Sequence, residues 1–177
     1  MKTRAATEYV LLGALFSGPR HGYEIISFLE ESLGRSWYVG TSQLYTVLKR
    51  LEKDGLVKSW VKHQETRPSK RIFSITKKGE ERFKEWTRRP SEHVRDLRVE
   101  FLAKLYFIKT HDFPWGEKLV EEQARVLRER RATLMSLRRR EKDQYHLLVY
   151  SLKLATVRSW LTWLEKEARK FVKEGGL

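Results

Sequence analysis

The stretch TSQLYTVLKRLEKDGLV, Thr41 to Val57, decides how the first half of the chain is read. Its apolar residues Leu44, Val47, Leu48 and Leu51 recur at the spacing of one helical face. The opposite face shows Ser42, Gln43, Thr46, Lys49, Arg50 and Lys53. Thr41 or Ser42 can cap the N-terminus, and Gly55 stands where a helix commonly ends in a left-handed residue. A soluble domain needs only the apolar stripe. The outer face adds short hydrogen-bonding groups at its start and cations further on. That order suits a helix whose N-terminus enters a DNA groove while its later turns meet phosphates.

Two short helices are expected upstream. YVLLGALF (Tyr9 to Phe16) is apolar nearly all round, SGPRHG is turn chemistry, and YEIISFLEESLG places Ile25, Ile26, Phe28 and Leu29 inward before Gly34. Three short helices with the third amphipathic and basic form a helix-turn-helix arrangement. Downstream the period changes to two. LVKSWVKH sets Val57, Ser59 and Val61 against Lys58, Trp60 and Lys62, and KRIFSIT sets Arg71, Phe73 and Ile75 against Ile72 and Ser74. The polar QETRPSK between them fits a hairpin tip. Lys58, Lys62, Arg67, Lys70 and Arg71 outnumber the lone acid Glu65. A basic two-stranded ribbon next to a basic helix reads as a DNA-contacting wing, against the alternative of a solvated hairpin. TKKGEERFKEW then starts a fourth helix at Thr76, and Pro90 closes the region.

The second half reads as helix throughout. VRDLRVEFLAKLYFIKTHD is expected as one helix, followed by a long one from Pro114 that turns near EKDQ into a last. There Leu147, Tyr150, Leu154, Val157, Leu161, Leu164, Ala168 and Phe171 alternate spacings of three and four, an a/d seam. Such a seam suits a dimer interface, although a core within one chain can also use it. Trp160 and Trp163 flank it. They can stack on an aromatic effector or serve ordinary packing. The fold class expected is mainly α with a small β-hairpin: a winged helix-turn-helix domain over residues 1–88 and a helical dimerisation domain over 91–174.

Composition bounds the partners. The chain has 177 residues, 37 Lys and Arg against 23 Asp and Glu, and a formal charge of +14, which favours polyanions. The first ninety residues hold 18 cations and 10 acids and the remainder 19 and 13, so the bias is not confined to one half. With no cysteine, disulfides, zinc fingers and thiol catalysis are excluded. No apolar run approaches the ~18–20 residues that span a bilayer. MKTRAATEYVLLGALFSGP is broken by Glu8 and Tyr9 and reads as the first helix of a cytoplasmic protein, nucleoid-associated when on DNA. His21, His63, His93, His111 and His146 are scattered, and there is no phosphate-binding glycine loop or nucleophile motif. Neither an enzyme nor a metal or other cofactor is expected.

These residues resemble a known family. LLGALFSGPRHGYEIISFLEE is similar to the PadR-type signature of an apolar helix, a Gly-Pro turn and His-Gly-Tyr-Glu-Ile. SQLYTVLKRLEKDGLV resembles that family's recognition helix, KRIFSIT its wing return, and TKKG the start of its fourth helix. The C-terminal half looks like the two-helix extension of the longer subfamily. The resemblance implies a dimeric winged-helix transcription regulator, usually a repressor, often released from DNA by a small aromatic molecule. The family commonly has proline at the position of Thr41, and tyrosine in the wing where this chain has Phe73.

The contacts expected follow. Ser42, Gln43 and Thr46 face base edges, with the Gln43 amide matched to adenine and the hydroxyls to either base type. Lys49 and Arg50 meet phosphate from the helix, and Lys62, Arg67, Lys70 and Arg71 from the wing, where Arg67 can instead enter a minor groove. Thr41 caps the helix, and Tyr45 is either a core anchor or a phosphate contact. His21 suits turn capping and Tyr23 packing, while Arg138, Arg139 and Arg140 fit a solvated hairpin end. Double-stranded DNA and a second copy of the chain are the partners, with no membrane. A basic RNA- or ribosome-associated protein and a winged-helix adaptor or ligand-sequestering protein are the alternatives; the first lacks aromatic stacking motifs.

Overall fold

The first apolar run coils into α1 (Thr3–Phe16), which begins well before the expected Tyr9. The computed structural model describes residues 3–34, 37–62 and 69–174. They form two compact units, residues 1–87 with 102–107 and residues 88–101 with 108–177.

In the first unit Val10, Leu11, Leu12, Ala14 and Leu15 of α1 are all buried. Gly13 lies under the Phe107 ring, where a Cβ would overlap it. Arg20–His21 forms a two-residue strand, β1, inside what reads as a plain turn. Next, α2 (Gly22–Leu33) starts with a capping box. The Glu24 N–H donates to His21 Nδ1 at 3.3 Å, and the His21 N–H donates to the Glu24 carboxylate at 2.8 Å. Recognition-helix candidate α3 (Thr41–Lys53) buries Leu44, Val47, Leu48 and Leu51 as its period predicts. Its N-cap is Gly40, not Thr41 or Ser42, and no side chain caps it. The helix ends in a Schellman motif: the Leu56 N–H donates to the Leu51 carbonyl at 2.8 Å and the Gly55 N–H to Glu52 at 3.0 Å. Gly55 takes φ 70° to allow it.

Two strands, β2 (Val57–Lys62) and β3 (Lys70–Ile75), pair antiparallel, and β1 pairs on the far side of β3. The wing sheet is thus three-stranded, one strand more than the expected hairpin. Lys70 belongs to β3 and not to the tip; residues 63–68 lie outside the description, Arg67 among them. Then comes α4 (Lys77–Arg88). Thr76 Oγ1 accepts from the Gly79 N–H at 3.1 Å and donates to the Gly55 carbonyl at 2.8 Å, joining the start of α4 to the end of α3. Phe83 and Phe107 meet edge to face at 5.2 Å in the same core.

The segment expected as one helix is α5 (Val94–Asp96), a π-helical turn over Leu97–Phe101, and α6 (Leu102–Thr110). In the second unit, α7 (Gly116–Arg140) starts two residues past Pro114 and folds back at residues 141–143 onto α8 (Gln144–Trp163). Asp143 caps α8 by accepting from the His146 N–H at 2.9 Å. A second π-helical turn, Leu164–Ala168, leads to α9 (Arg169–Lys173). Buried Gln123 holds the connector before α5: its Oε1 accepts from the Ser91 N–H at 2.6 Å and its Nε2 donates to the Ser91 carbonyl at 3.0 Å.

Candidate nucleic-acid interface

The outer face of α3 is open. Thr41, Ser42, Gln43, Thr46, Lys49 and Lys53 are exposed. Arg50 differs, because its guanidinium turns back to pair with the Glu8 carboxylate of α1. The expected phosphate contact is therefore an internal ion pair. Tyr45 combines both of its expected roles. Its hydroxyl lies over Gly22, where a Cβ would overlap it, and its ring stands 6.4 Å from Phe73, yet 44% of the residue stays exposed. Thus the glycine of the His-Gly-Tyr sequence makes room for the tyrosine of α3.

Alternation sorts the wing cations onto two faces. Val57 and Phe73 mark the core side, and Ser59 and Arg71 share it. Arg71 Nη2 bonds Glu52 at 2.6 Å and Nε donates to Ser59 Oγ at 2.8 Å, while Ser59 Oγ donates to Glu52 at 2.6 Å. This triad bolts α3 to both long strands. The Ser59 hydrogen bond, followed by the charge of Arg71, holds the Glu52 carboxyl below its usual range. Arg71, expected on phosphate, thus also braces the fold, with its side chain still 55% exposed. The other face carries Lys58, Trp60 and Lys62, with Lys62 directly across from Lys70. Lys70 Nζ lies 3.3 Å from His21 Nε2 of β1. Like charges side by side on a ladder disfavour it unless an anion intervenes. Lys58 and Lys62 are exposed and Lys70 is half-buried.

In the second unit the α8 seam turns inward. Val157, Leu164 and Ala168 are buried within the unit, and Leu147, Tyr150, Leu154, Leu161 and Phe171 are half-buried. The open apolar row lies beside it: Tyr145, Leu148 and Leu152 are 70%, 67% and 69% exposed. Trp160 and Trp163 are half-buried and pack edge to face at 5.4 Å. Arg138, Arg139 and Arg140 form the last turn of α7, where their charge opposes the helix dipole.

Residues 11–85 match the model of the transcriptional regulator PadR-like family. The chain is 29% identical over 172 residues to the negative transcriptional regulator PadR of Bacillus subtilis, a stretch covering 89% of this chain and 93% of that protein. Both matches make the chain similar to PadR-like regulators, the first over its winged-helix unit and the second over most of its length. Among solved structures, Bacillus subtilis PadR in complex with operator DNA aligns at 25% identity and TM-score 0.48, over 93% of this chain and 98% of that one. The same protein in complex with p-coumaric acid aligns at 22% identity and TM-score 0.43, over 97% of each chain.

Several features of this PadR-like unit escape sequence reasoning. Glu8 and Glu52, which pair with Arg50 and Arg71, are distant from them or chemically ordinary in the sequence. A two-residue strand such as β1 has no period to detect. Tyr23, expected to pack, is 74% exposed. His21 caps α2, as turn chemistry predicts. Among the described residues no group of three or more His, Asp or Glu is placed to hold a metal, and no helix is long and apolar enough to cross a membrane.

Proposed function

We infer that this PadR-like regulator binds double-stranded DNA as a homodimer, with residues 1–88 reading the site and residues 91–174 pairing the protomers. The observation that carries the reading is the exposed stripe Ser42, Gln43, Thr46 and Lys49, on a helix fixed to its wing by Glu52, Ser59 and Arg71. Polar groups near the N-terminus of α3 face base edges in a major groove, and Lys49, Lys58, Lys62 and Lys70 engage flanking phosphates. The open row Tyr145, Leu148 and Leu152, with the half-buried Leu147, Tyr150 and Leu154 beside it, supports a two-fold interface along α8. Two half-sites about one or two helical turns apart follow, hence a pseudo-palindromic operator. The protein acts in the cytoplasm, without catalysis. The relative's name as a negative regulator supports repression, and the Trp160–Trp163 pair is where a small aromatic effector would stack to release it.

The deciding experiment is selection of genomic fragments by the purified full-length protein, repeated with Gln43→Ala. A recovered palindrome whose specificity weakens in the variant supports the reading. Equal enrichment of random fragments by both proteins, or preference for structured RNA over duplex DNA, overturns it.

A further inference from the structure

Thr46 occupies the middle of the exposed stripe of α3, one turn beyond Ser42 and Gln43. Its Oγ1 lies 2.8 Å from the Ser42 carbonyl oxygen. A carbonyl oxygen carries no proton, so the hydroxyl must donate its single hydrogen in that bond. What Thr46 presents outward is therefore an oxygen that can only accept, together with a methyl group.

That restriction changes what the residue can read. A free hydroxyl donates or accepts and suits any base edge. Guanine shows only the acceptors N7 and O6 next to the groove, and an oxygen without an available hydrogen repels both. An A·T pair offers the adenine N6 amino group as donor and the thymine C5 methyl as apolar surface. A C·G pair offers a donor but no methyl. We propose that Thr46 is a specificity-determining residue that selects an A·T pair, accepting from adenine N6 and packing its methyl on that of thymine. Gln43, one turn earlier on the same face, has the amide that pairs with adenine N6 and N7, so the two residues together favour an A/T-containing core in each half-site. The inference rests on α3 being the DNA-reading helix.

The test is selection from random duplex DNA with the full-length protein and with Thr46→Ala, Thr46→Val and Thr46→Ser. Binding to the selected site is then measured with thymine replaced by uracil at the position whose preference changes in Thr46→Ala. That position is expected to be A·T. Uracil, which lacks only the methyl, should weaken the wild type and Thr46→Val about fourfold, the factor for one buried methyl, and leave Thr46→Ser unaffected. A G·C pair at that position, indifference of the wild type to uracil, or a motif unchanged by Thr46→Ala would overturn the assignment while leaving DNA binding intact. Failure to enrich any motif would instead remove the DNA-binding reading beneath it.

Discussion

Lys49 and Gln43 share the exposed face of α3, yet their loss should be felt in different ways. Lys49→Ala removes the phosphate ligand proposed for the helix. Affinity should fall for every sequence alike, and the slope of log affinity against log salt should shrink by about 0.9, read from titrations between about 50 and 200 mM salt. Gln43→Ala should spare non-specific binding and lose about 1–3 kcal/mol of discrimination at one base pair. Arg50→Ala belongs to neither class. Its partner is Glu8, so the variant should lower thermal stability, and a double-mutant cycle with Glu8→Ala should return a coupling of about 1 kcal/mol. An unchanged melting temperature would return Arg50 to the interface. Lys49 and Arg50 are neighbours and look equivalent in the sequence. The difference is made by an acid in α1 that no local pattern connects to them.

At the scale of elements, the joint between α3 and the wing should be sensitive to acid. The Glu52 carboxyl is held low in the folded protein by Ser59 and Arg71. Its contribution to stability is complete above the unfolded carboxyl value of about 4.3 and is lost as pH falls through the lower folded value. The wild type should therefore melt higher than Glu52→Gln at pH 7, with the gap closing below about pH 4; a gap independent of pH would dissolve the joint. Gly79→Ala should destabilise by about 1–3 kcal/mol, because its Cβ would overlap the Leu56 carbonyl at the junction of α3 and α4. The apolar periods of α2 and α3 and the alternation of β2 and β3 made these elements readable, since burial enforces them residue by residue. The two π-helical turns were not readable. Each adds a fraction of a turn without altering composition, so Val94–Thr110 looks like one uninterrupted helix.

For the whole molecule, the spacing of the α8 seam revealed a buried face but not its partner: α7 of the same protomer packs on α8, and Val157 is buried. On the proposed reading the partner protomer packs on the adjacent open row. Leu148→Glu with Leu152→Glu should halve the mass measured by light scattering, leave the helical circular dichroism signal in place, and weaken operator binding through lost avidity. A dimer that survives both changes would move the interface elsewhere. One further consequence lies in the pairing of Lys62 with Lys70. The two residues face each other across one rung, while the Lys70 ammonium lies 3.3 Å from the His21 ring on the other side of β3, so positive charge is spread across the face of the wing. On the proposed reading, a DNA phosphate beside that face would offset the like charge, so the DNA backbone would act as a missing structural part of the protein. Amide exchange along β2 and β3 should slow when any duplex binds, matched or not, and even sulfate should brace the ladder.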